Sequence, residues 1–163
     1  MKLVPVQDLT DEQWYHAYLT MFDRKLAYHM GVDPALIANP PKLIEFYQNI
    51  MGVIEAGKFV GWGIIDKNGE YLGHTILDKT CGEWEVGTVL ADEELWSSGV
   101  GVRATLHALR HAFTELDTEW VVAFTQGKDP KVKDILLRGG FRPFMHFLVM
   151  HRDGWKERWG RRR

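Results

Sequence analysis

The stretch from Trp96 to Val102, with the sequence WSSGVGV, contains the residues best suited to binding an anion. It follows a strand-like run that ends near Ala91 and precedes a long amphipathic helix. Glycine lets the backbone turn tightly, and the first N–H groups of a helix lack internal partners and carry the positive end of its dipole. A strand, a glycine turn and a helix start therefore favour a phosphate-like anion. A plain turn with a helix cap is the alternative that two glycines leave open.

Other reactive side chains carry weaker patterns. His107 and His111 are four residues apart on the predicted helix, a spacing that can bind a metal. No matching carboxylate or cysteine pattern accompanies them, so a polar helix face is favoured and no metal site is predicted. Cys81 lies in a Lys-Thr-Cys-Gly turn with no neighbour that would activate its thiol.

The bulk composition is that of an ordinary globular domain. The chain has 163 residues, 45% of them hydrophobic and 26% charged, with a net charge of −2. These values predict one folded domain and no overall basic field for nucleic acid. A single cysteine fits a reducing compartment, and no apolar run approaches the roughly 20 residues of a membrane span. We expect a cytoplasmic protein that begins directly with a strand.

The hydrophobic periodicity predicts the element order β-α-α-β-β-β-α-β-α-β. Thr10 to Gln13 has the spacing of a capping box, so a first helix is expected to run from there to about His29. A loop over 31–41 and a second helix that ends at Gly57 follow. The apolar stripe predicted for that second helix consists of Leu43, Phe46, Tyr47, Ile50, Met51 and Ile54.

The second part of the chain reads as strands and two further helices. Asp66 to Gly69 contains Asn-Gly, the strongest hairpin dipeptide. The third helix should bury Leu106, Leu109, Phe113 and Leu116. The fold class is therefore mixed α/β, with helices on a mostly antiparallel sheet. The remaining elements are strands 58–65, 71–77, 83–90 and 119–125, a helix from Asp129-Pro130 to the glycine pair 139–140, and a last strand 141–151. A division of this last strand into two is the alternative.

This order resembles the GNAT superfamily of acyl-CoA N-acyltransferases. The family signature Gln/Arg-x-x-Gly-x-Gly/Ala corresponds here to the residues from Trp96 to Gly101. A second landmark, a strand, a short helix and Gly-Phe, corresponds to 120–124, 129–138 and Gly140-Phe141. The resemblance spans residues 1–151 and implies a GNAT-like domain whose sheet has helices on both faces. Residues 152–163 are predicted as a separate C-terminal tail.

The resemblance implies acetyl-CoA as the acyl donor and no metal. Family members bind the pyrophosphate of coenzyme A on backbone N–H groups of the glycine turn. They also use the backbone of the preceding strand, here Val89 and Ala91, for the pantetheine arm and the thioester oxygen. A donor aimed at that oxygen contributes on the order of 3 kcal/mol. The cofactor-binding residues carried over in this way are Val89, Ala91, Trp96, Ser97, Ser98, Gly99, Val100, Gly101, Val102 and Asp129.

The resemblance also implies a catalytic base. Some family members use a glutamate sixteen residues before the second motif glycine, and that position is Glu85 here. Strand alternation places Glu83, Glu85 and Gly87 on one face, so Glu85 can face a cleft and accept a proton, directly or through water. A solvated strand carboxylate is the alternative. A strand histidine near the cleft could serve as another base, with His74, His146 and His151 otherwise predicted on sheet faces.

Three positions depart from the family pattern. Trp96 replaces the usual Gln or Arg, Asp129 replaces an asparagine that often contacts the pantetheine arm, and Leu136 stands where many members have a tyrosine. The first interpretation is nevertheless an N-acetyltransferase that transfers an acetyl group directly to a primary amine of a small molecule or protein. The alternative, suggested by a similarity to drifted GNAT-like phage proteins, is a phage or virion-associated structural protein without turnover.

The tail from Trp155 to Arg163 has five basic residues and one acidic residue, interleaved with aromatic side chains. Such a segment can bind phosphates and stack on bases, which would suit an acidic protein or a nucleic acid. A solvated tail is the alternative. The sequence leaves the acceptor amine, the acyl chain and the oligomeric state, a homodimer included, undecided.

Overall fold

The order of strands and helices follows the prediction with two added helices. The structure is a computed structural model that describes residues 1–26, 34–124, 130–144 and 147–160. The described residues also contain two short 3-10 turns, Val6–Asp8 and Glu93–Leu95. The elements are β1 (Lys2–Pro5), α1 (Asp11–Met21), α2 (Pro34–Ala38), α3 (Leu43–Glu55), β2 (Phe59–Ile65), β3 (Tyr71–Asp78), β4 (Glu85–Leu90), α4 (Val100–Thr114), β5 (Trp120–Ala123), α5 (Pro130–Gly139), β6 (Arg142–Phe144), β7 (Phe147–His151) and α6 (Arg152–Trp159).

Within the described residues the strands form one seven-stranded sheet, in the order β1-β2-β3-β4-β5-β7-β6. Neighbouring strands are antiparallel except for β4 and β5, which are parallel. In the described part of the chain these two strands pair at a single position, Glu85 with Val122, where the Val122 N–H donates to the Trp84 carbonyl at 2.9 Å. The remainder of β4 therefore borders a gap in the middle of the sheet.

Helix α4 packs closely on one face of the sheet. Every fourth residue of it, Ala104, Ala108 and Ala112, is completely buried, at 0% exposure. Residues four apart lie on one side of a helix, and a methyl side chain lets the helix backbone approach the strands. Leu109 and Phe113, predicted as core, are also buried, but alanines form most of the contact stripe. Leu106 and Leu116 are only partly buried.

The opposite face is covered by α1 and α3. Trp14 of α1 is buried, and its ring meets Phe46 and Tyr47 of α3 at centroid distances of 6.2 and 5.0 Å. The predicted capping box is confirmed, because the Thr10 side chain accepts from the Gln13 N–H and the Gln13 side chain accepts from the Thr10 N–H. The stripe of α3 that packs on this core consists of Phe46, Ile50, Val53 and Ile54.

The ends of the first helices differ from the prediction. Helix α1 stops at Met21 rather than near His29, because the Asp23 side chain accepts from the N–H groups of Lys25 and Leu26 and starts a new turn. The predicted loop over 31–41 contains the short helix α2, and α3 begins at Leu43 with Lys42 as its N-cap. Residues 27–33 lie outside the described part of the chain.

The C-terminal segment is the larger correction. Residues 152–159 were predicted as a tail on which no core face depends, but they form α6, which is attached to the body. The Arg152 side chain binds the Asp117 carboxylate at 2.9 Å, and the Trp155 ring lies 5.5 Å from the Phe113 ring. The Trp159 indole N–H donates to the Gly139 carbonyl at 2.8 Å. The last strand is split into β6 and β7, and residues 125–129, 145–146 and 161–163 lie outside the described residues.

No helix among the described residues has the length and apolar character that a membrane crossing needs.

Candidate active site

The glycine turn has an unusual backbone that its residue types explain only in part. Gly99 precedes α4 with φ +80°, a left-handed conformation that glycine adopts readily. Ser97 is also left-handed, with φ +92°, although it has a side chain. Ser98 fixes the turn, since its hydroxyl donates to the Leu95 carbonyl at 2.6 Å and accepts from the Val100 N–H at 3.2 Å. The turn is thus held from within.

Four N–H groups of this turn have no acceptor within the described chain. They belong to Ser97, Gly99, Gly101 and Val102. The first backbone bond of the helix runs from the Arg103 N–H to the Gly99 carbonyl at 3.1 Å, so the N–H groups of Gly101 and Val102 stay open among the described residues, whereas that of Val100 donates to the Ser98 hydroxyl. The family resemblance assigns the pyrophosphate to N–H groups of this turn, and open donors together with the helix dipole can hold an anionic group.

The turn lies directly beside the open edge of β4. A Cβ placed on Gly101 would be 3.6 Å from the Leu90 side chain and 3.9 Å from that of Thr88. The Ala91 N–H donates to the Leu72 carbonyl at 2.9 Å, so the predicted contact from this group to a ligand is not available here. Alternate residues of an antiparallel strand direct their backbone groups to opposite sides. The backbone of Thr88 and Leu90 therefore faces the gap toward β5. That of Val89 faces β3, so the predicted backbone contact from Val89 to a ligand is not available at this edge either.

Three threonine side chains, Thr75, Thr88 and Thr105, connect the sheet with the first turn of α4. We call them the threonine chain. The Thr75 and Thr88 hydroxyls are 2.8 Å apart, those of Thr88 and Thr105 are also 2.8 Å apart, and the Thr105 hydroxyl donates to the Gly101 carbonyl at 2.9 Å. The sequence did not predict this chain. Its one signal was the alternation that places Thr88 on the helix-facing side with Val86.

Glu85 lies at the start of β4, on the sheet face opposite α4. It is half-buried and is the register partner of Asp78 on β3. Burial raises the pKa of the Glu85 carboxyl above its ordinary value, and the nearby Asp78 charge raises it further. A carboxylate with a raised pKa is a better proton acceptor than an ordinary surface glutamate. The geometry is therefore compatible with the predicted base.

His74, the alternative base, is engaged elsewhere. Its Nδ1 is hydrogen-bonded to the Tyr71 hydroxyl, and burial lowers the pKa of His74 to about 4. Burial also raises the pKa of Tyr71, so a neutral hydroxyl and a neutral ring share this hydrogen bond, and the tautomer of His74 decides which of them donates. A ring in this state is a weak proton acceptor. His151 caps α6 instead, by accepting from the Asp153 N–H, and His146 lies outside the described residues.

The acidic residues before the glycine turn are partly compensated. The Asp92 side chain accepts from the Glu94 N–H at 2.9 Å, and Glu93 forms an ion pair of 2.8 Å with Lys25. A cavity of about 240 Å³ opens here, at the end of β4. Its described lining contains three carboxylates and one lysine, in the set Asp23, Lys25, Leu26, Ala91, Asp92 and Glu93.

The remaining predicted residues have mixed outcomes. Leu136 is partly buried against the main core, so the position where many family members have a tyrosine offers no hydroxyl. The rings of His107 and His111 both meet the edge or face of Trp62, at 5.0 and 5.1 Å. Among the described residues no group of three or more potential ligands is arranged for a metal ion. Asp129 lies outside the described residues, so its predicted contact stays a prediction.

In this arrangement β4 and β5 separate, and the glycine turn and the start of α4 lie beside the gap between them. Such an arrangement defines an acyltransferase fold. The chain belongs to the GNAT acetyltransferase family, because the family model for the acetyltransferase (GNAT) domain matches residues 3–142. No protein with a curated functional description matches the sequence.

Solved structures with the same fold include two that contain coenzyme A. Spermidine N-acetyltransferase from Vibrio cholerae, in complex with CoA and spermine, is 13% identical with a TM-score of 0.76, over 94% of this chain and 96% of that chain. Aminoglycoside acetyltransferase AAC(6')-Ib, in complex with coenzyme A, is 12% identical with a TM-score of 0.73, over 96% and 99%. An acetyltransferase from Agrobacterium tumefaciens is 16% identical with a TM-score of 0.69, over 90% and 86%.

Proposed function

We propose that this protein transfers an acetyl group from acetyl-CoA to a primary amine. The observation that carries the proposal is the set of N–H groups at Ser97, Gly99, Gly101 and Val102, which are open among the described residues, next to the edge of β4 that no described strand pairs beyond Glu85. Backbone donors at a helix start suit a pyrophosphate, and an extended amide arm can pair with a strand edge. The family membership and the two CoA-bound structures with the same fold support this choice of donor.

The chain's own residues divide the chemical work. Acetyl-CoA supplies a thioester whose carbonyl carbon the amine attacks, with cleavage of the carbon–sulfur bond. The Glu85 carboxylate accepts the proton of the incoming ammonium group, directly or through a water. The Thr88 and Leu90 backbone groups hold the donor arm, in place of Val89, whose backbone faces β3. Leu136 has no acidic proton, so the leaving thiolate takes its proton from solvent.

The acceptor is proposed to be a positively charged amine. The cavity at the end of β4 carries Asp23, Asp92 and Glu93 against one lysine, and an acidic lining raises the local concentration of cations. The structure from Vibrio cholerae contains spermine, and a further AAC(6')-Ib structure contains kanamycin, both of which are amines. A comparison of kcat/KM for polyamines, aminoglycosides and a lysine peptide would rank the acceptor classes.

The central test is a calorimetric titration with coenzyme A. Gly99→Asp should abolish binding, because a side chain and a negative charge enter the anion site. Nothing lies within 4 Å of a Cβ there, and the backbone strain of a side chain at left-handed φ is the cost that the control must share. Gly69→Asp is the matched control, since Gly69 is also left-handed, at φ +93°, and also open. It should bind coenzyme A like the wild type. A wild-type protein that gives no heat at millimolar coenzyme A would contradict the proposed donor.

The alternative without turnover rests on Leu136 and Trp96. It predicts that coenzyme A binds, or fails to bind, without any acetyl transfer. Release of free thiol from acetyl-CoA in the presence of the three acceptor classes distinguishes the two functions. Transfer to any of them, lost in Glu85→Gln, excludes the non-enzymatic version.

A further inference from the structure

The threonine chain has a defined direction, which follows from its hydrogen count. Each hydroxyl has one proton to donate. Thr105 gives its proton to the Gly101 carbonyl, so the 2.8 Å contact with Thr88 requires Thr88 to donate to Thr105. Thr88 then has no proton left, and the 2.8 Å contact with Thr75 requires Thr75 to donate to Thr88, with the Gly87 carbonyl at 3.3 Å as a longer second acceptor of the same proton. All three hydroxyl dipoles therefore point toward Gly101.

The chain ends at a peptide group that belongs to the anion site. The Gly101 carbonyl and the Val102 N–H are the two ends of one peptide group. Its carbonyl accepts from Thr105, and its N–H has no acceptor within the described residues. Consecutive hydrogen bonds polarise one another, so a donor at the carbonyl makes the N–H at the other end a stronger donor.

We propose that the threonine chain positions and polarises the Gly101–Val102 peptide group for binding the pyrophosphate of the acyl donor. This inference rests on the proposed function and assigns three positioning residues to its donor site. The location of the chain supports it. Thr75 is completely buried in the sheet, and it is the register partner of Thr88, so the chain connects a rigid part of the core with the first turn of α4.

The test removes single hydroxyl groups without changing side-chain volume. Thr105→Val deletes the donor to the Gly101 carbonyl, and we expect the dissociation constant of coenzyme A to rise about threefold to tenfold. Thr88→Val should act in the same direction with a smaller effect. It leaves Thr75 an alternative acceptor, the Gly87 carbonyl at 3.3 Å, so the fold should persist. Thr105→Ser retains the hydroxyl and should restore binding.

Thr114→Val is the matched control. The Thr114 hydroxyl donates to the Arg110 carbonyl at 2.9 Å, the same bond four residues back on the same helix, but far from the glycine turn. A merely structural role of these hydroxyls would lower the melting temperature in all three valine variants alike. The positioning role predicts a raised KM for acetyl-CoA in Thr105→Val, with kcat and the KM for S-acetyl-N-acetylcysteamine, which lacks the pyrophosphate, little changed.

The outcomes separate the inference from the proposed function. A wild-type protein without coenzyme A binding contradicts the proposed function. If the wild-type protein binds coenzyme A and both Thr105→Val and Thr88→Val bind it equally well, the inference is overturned and the proposed function stands. An equal rise of the KM for S-acetyl-N-acetylcysteamine, which lacks the pyrophosphate, would also overturn the inference alone. The Val102 amide proton resonance, followed by NMR during titration with inorganic pyrophosphate, tests the inference without coenzyme A. The titration shift should shrink in Thr105→Val and stay at the wild-type size in Thr114→Val, and any other pattern overturns it.

Discussion

Asp78 and Glu85 are direct register partners on β3 and β4, so two carboxylates stand side by side on one face of the sheet. Carboxylates in this arrangement repel each other when both are ionised. Burial is the first cause of the raised pKa of Glu85, and the Asp78 charge is the second. The pair thus adjusts the protonation of the residue proposed as the base.

Replacing Glu85 by glutamine should remove the proton acceptor and keep the shape of the site. We expect the rate of acetyl transfer to fall by about 100-fold near neutral pH. The loss should shrink as the pH rises, because the free amine then forms without help. Steady-state rates of both proteins across the pH range measure this. An unchanged rate and pH profile would transfer the role to a water chain or another residue.

Replacing Asp78 by asparagine should move the acidic limb of the pH–rate profile to lower pH. The base must be deprotonated to act, and removal of the neighbouring charge lowers the pKa of Glu85. Asparagine keeps an oxygen for the Thr80 N–H, which the Asp78 side chain now accepts at 2.7 Å. Glu83→Gln is the control, since Glu83 lies two residues from Glu85 and is not among the causes of its shift. A limb that moves equally in both variants would rule out the specific pairing.

Replacing Trp155 by alanine should destabilise the domain by about 2–4 kcal/mol. Its ring packs on Phe113 and on the main core, and its indole N–H has no partner in the described residues, so the loss is one of packing. Urea unfolding measures the difference. Glu157→Ala, an exposed position on the same helix, should leave the midpoint nearly unchanged. If Trp155→Ala does the same, the segment is a separable tail after all.

Replacing Gly73 by alanine should disrupt the pairing of β3 with β4. Gly73 has φ +147°, and a Cβ there would lie 2.2 Å from the Val89 carbonyl oxygen, so the strands must move apart. Gly69→Ala, also at positive φ but in open space, should cost only about 1 kcal/mol. Thermal unfolding of the two variants side by side tests this. Equal losses would mean that the close approach at Gly73 is not important for stability.

Local sequence rules predicted the parts of the fold that depend on neighbouring residues. The Thr10–Gln13 capping box and the glycine turn before α4 follow from rules that span a few positions. The Asp66 turn does as well, with its side chain accepting from the N–H groups of Asn68 and Glu70. These features need no knowledge of the rest of the molecule.

Features that depend on strand register could not be predicted in the same way. Thr75 and Thr88 meet because β3 and β4 pair in one particular alignment, and no pattern in either strand specifies it. Helix α6 was missed for a similar reason. Its sequence is rich in charge, and the contact of Trp155 with Phe113 joins residues that are distant in the chain.

The alanine stripe of α4 makes the donor site sensitive to substitutions made far from it. A larger side chain at Ala108 or Ala112 would lift the helix from the sheet, and the glycine turn would move with the helix that it begins. A screen of random variants for lost coenzyme A binding should therefore recover folded proteins altered at these two positions. On the structure, the positions of these substitutions would lie in a line along the axis of α4, away from the ligand. They would be misread as a second binding site if the packing of the helix on the sheet were ignored.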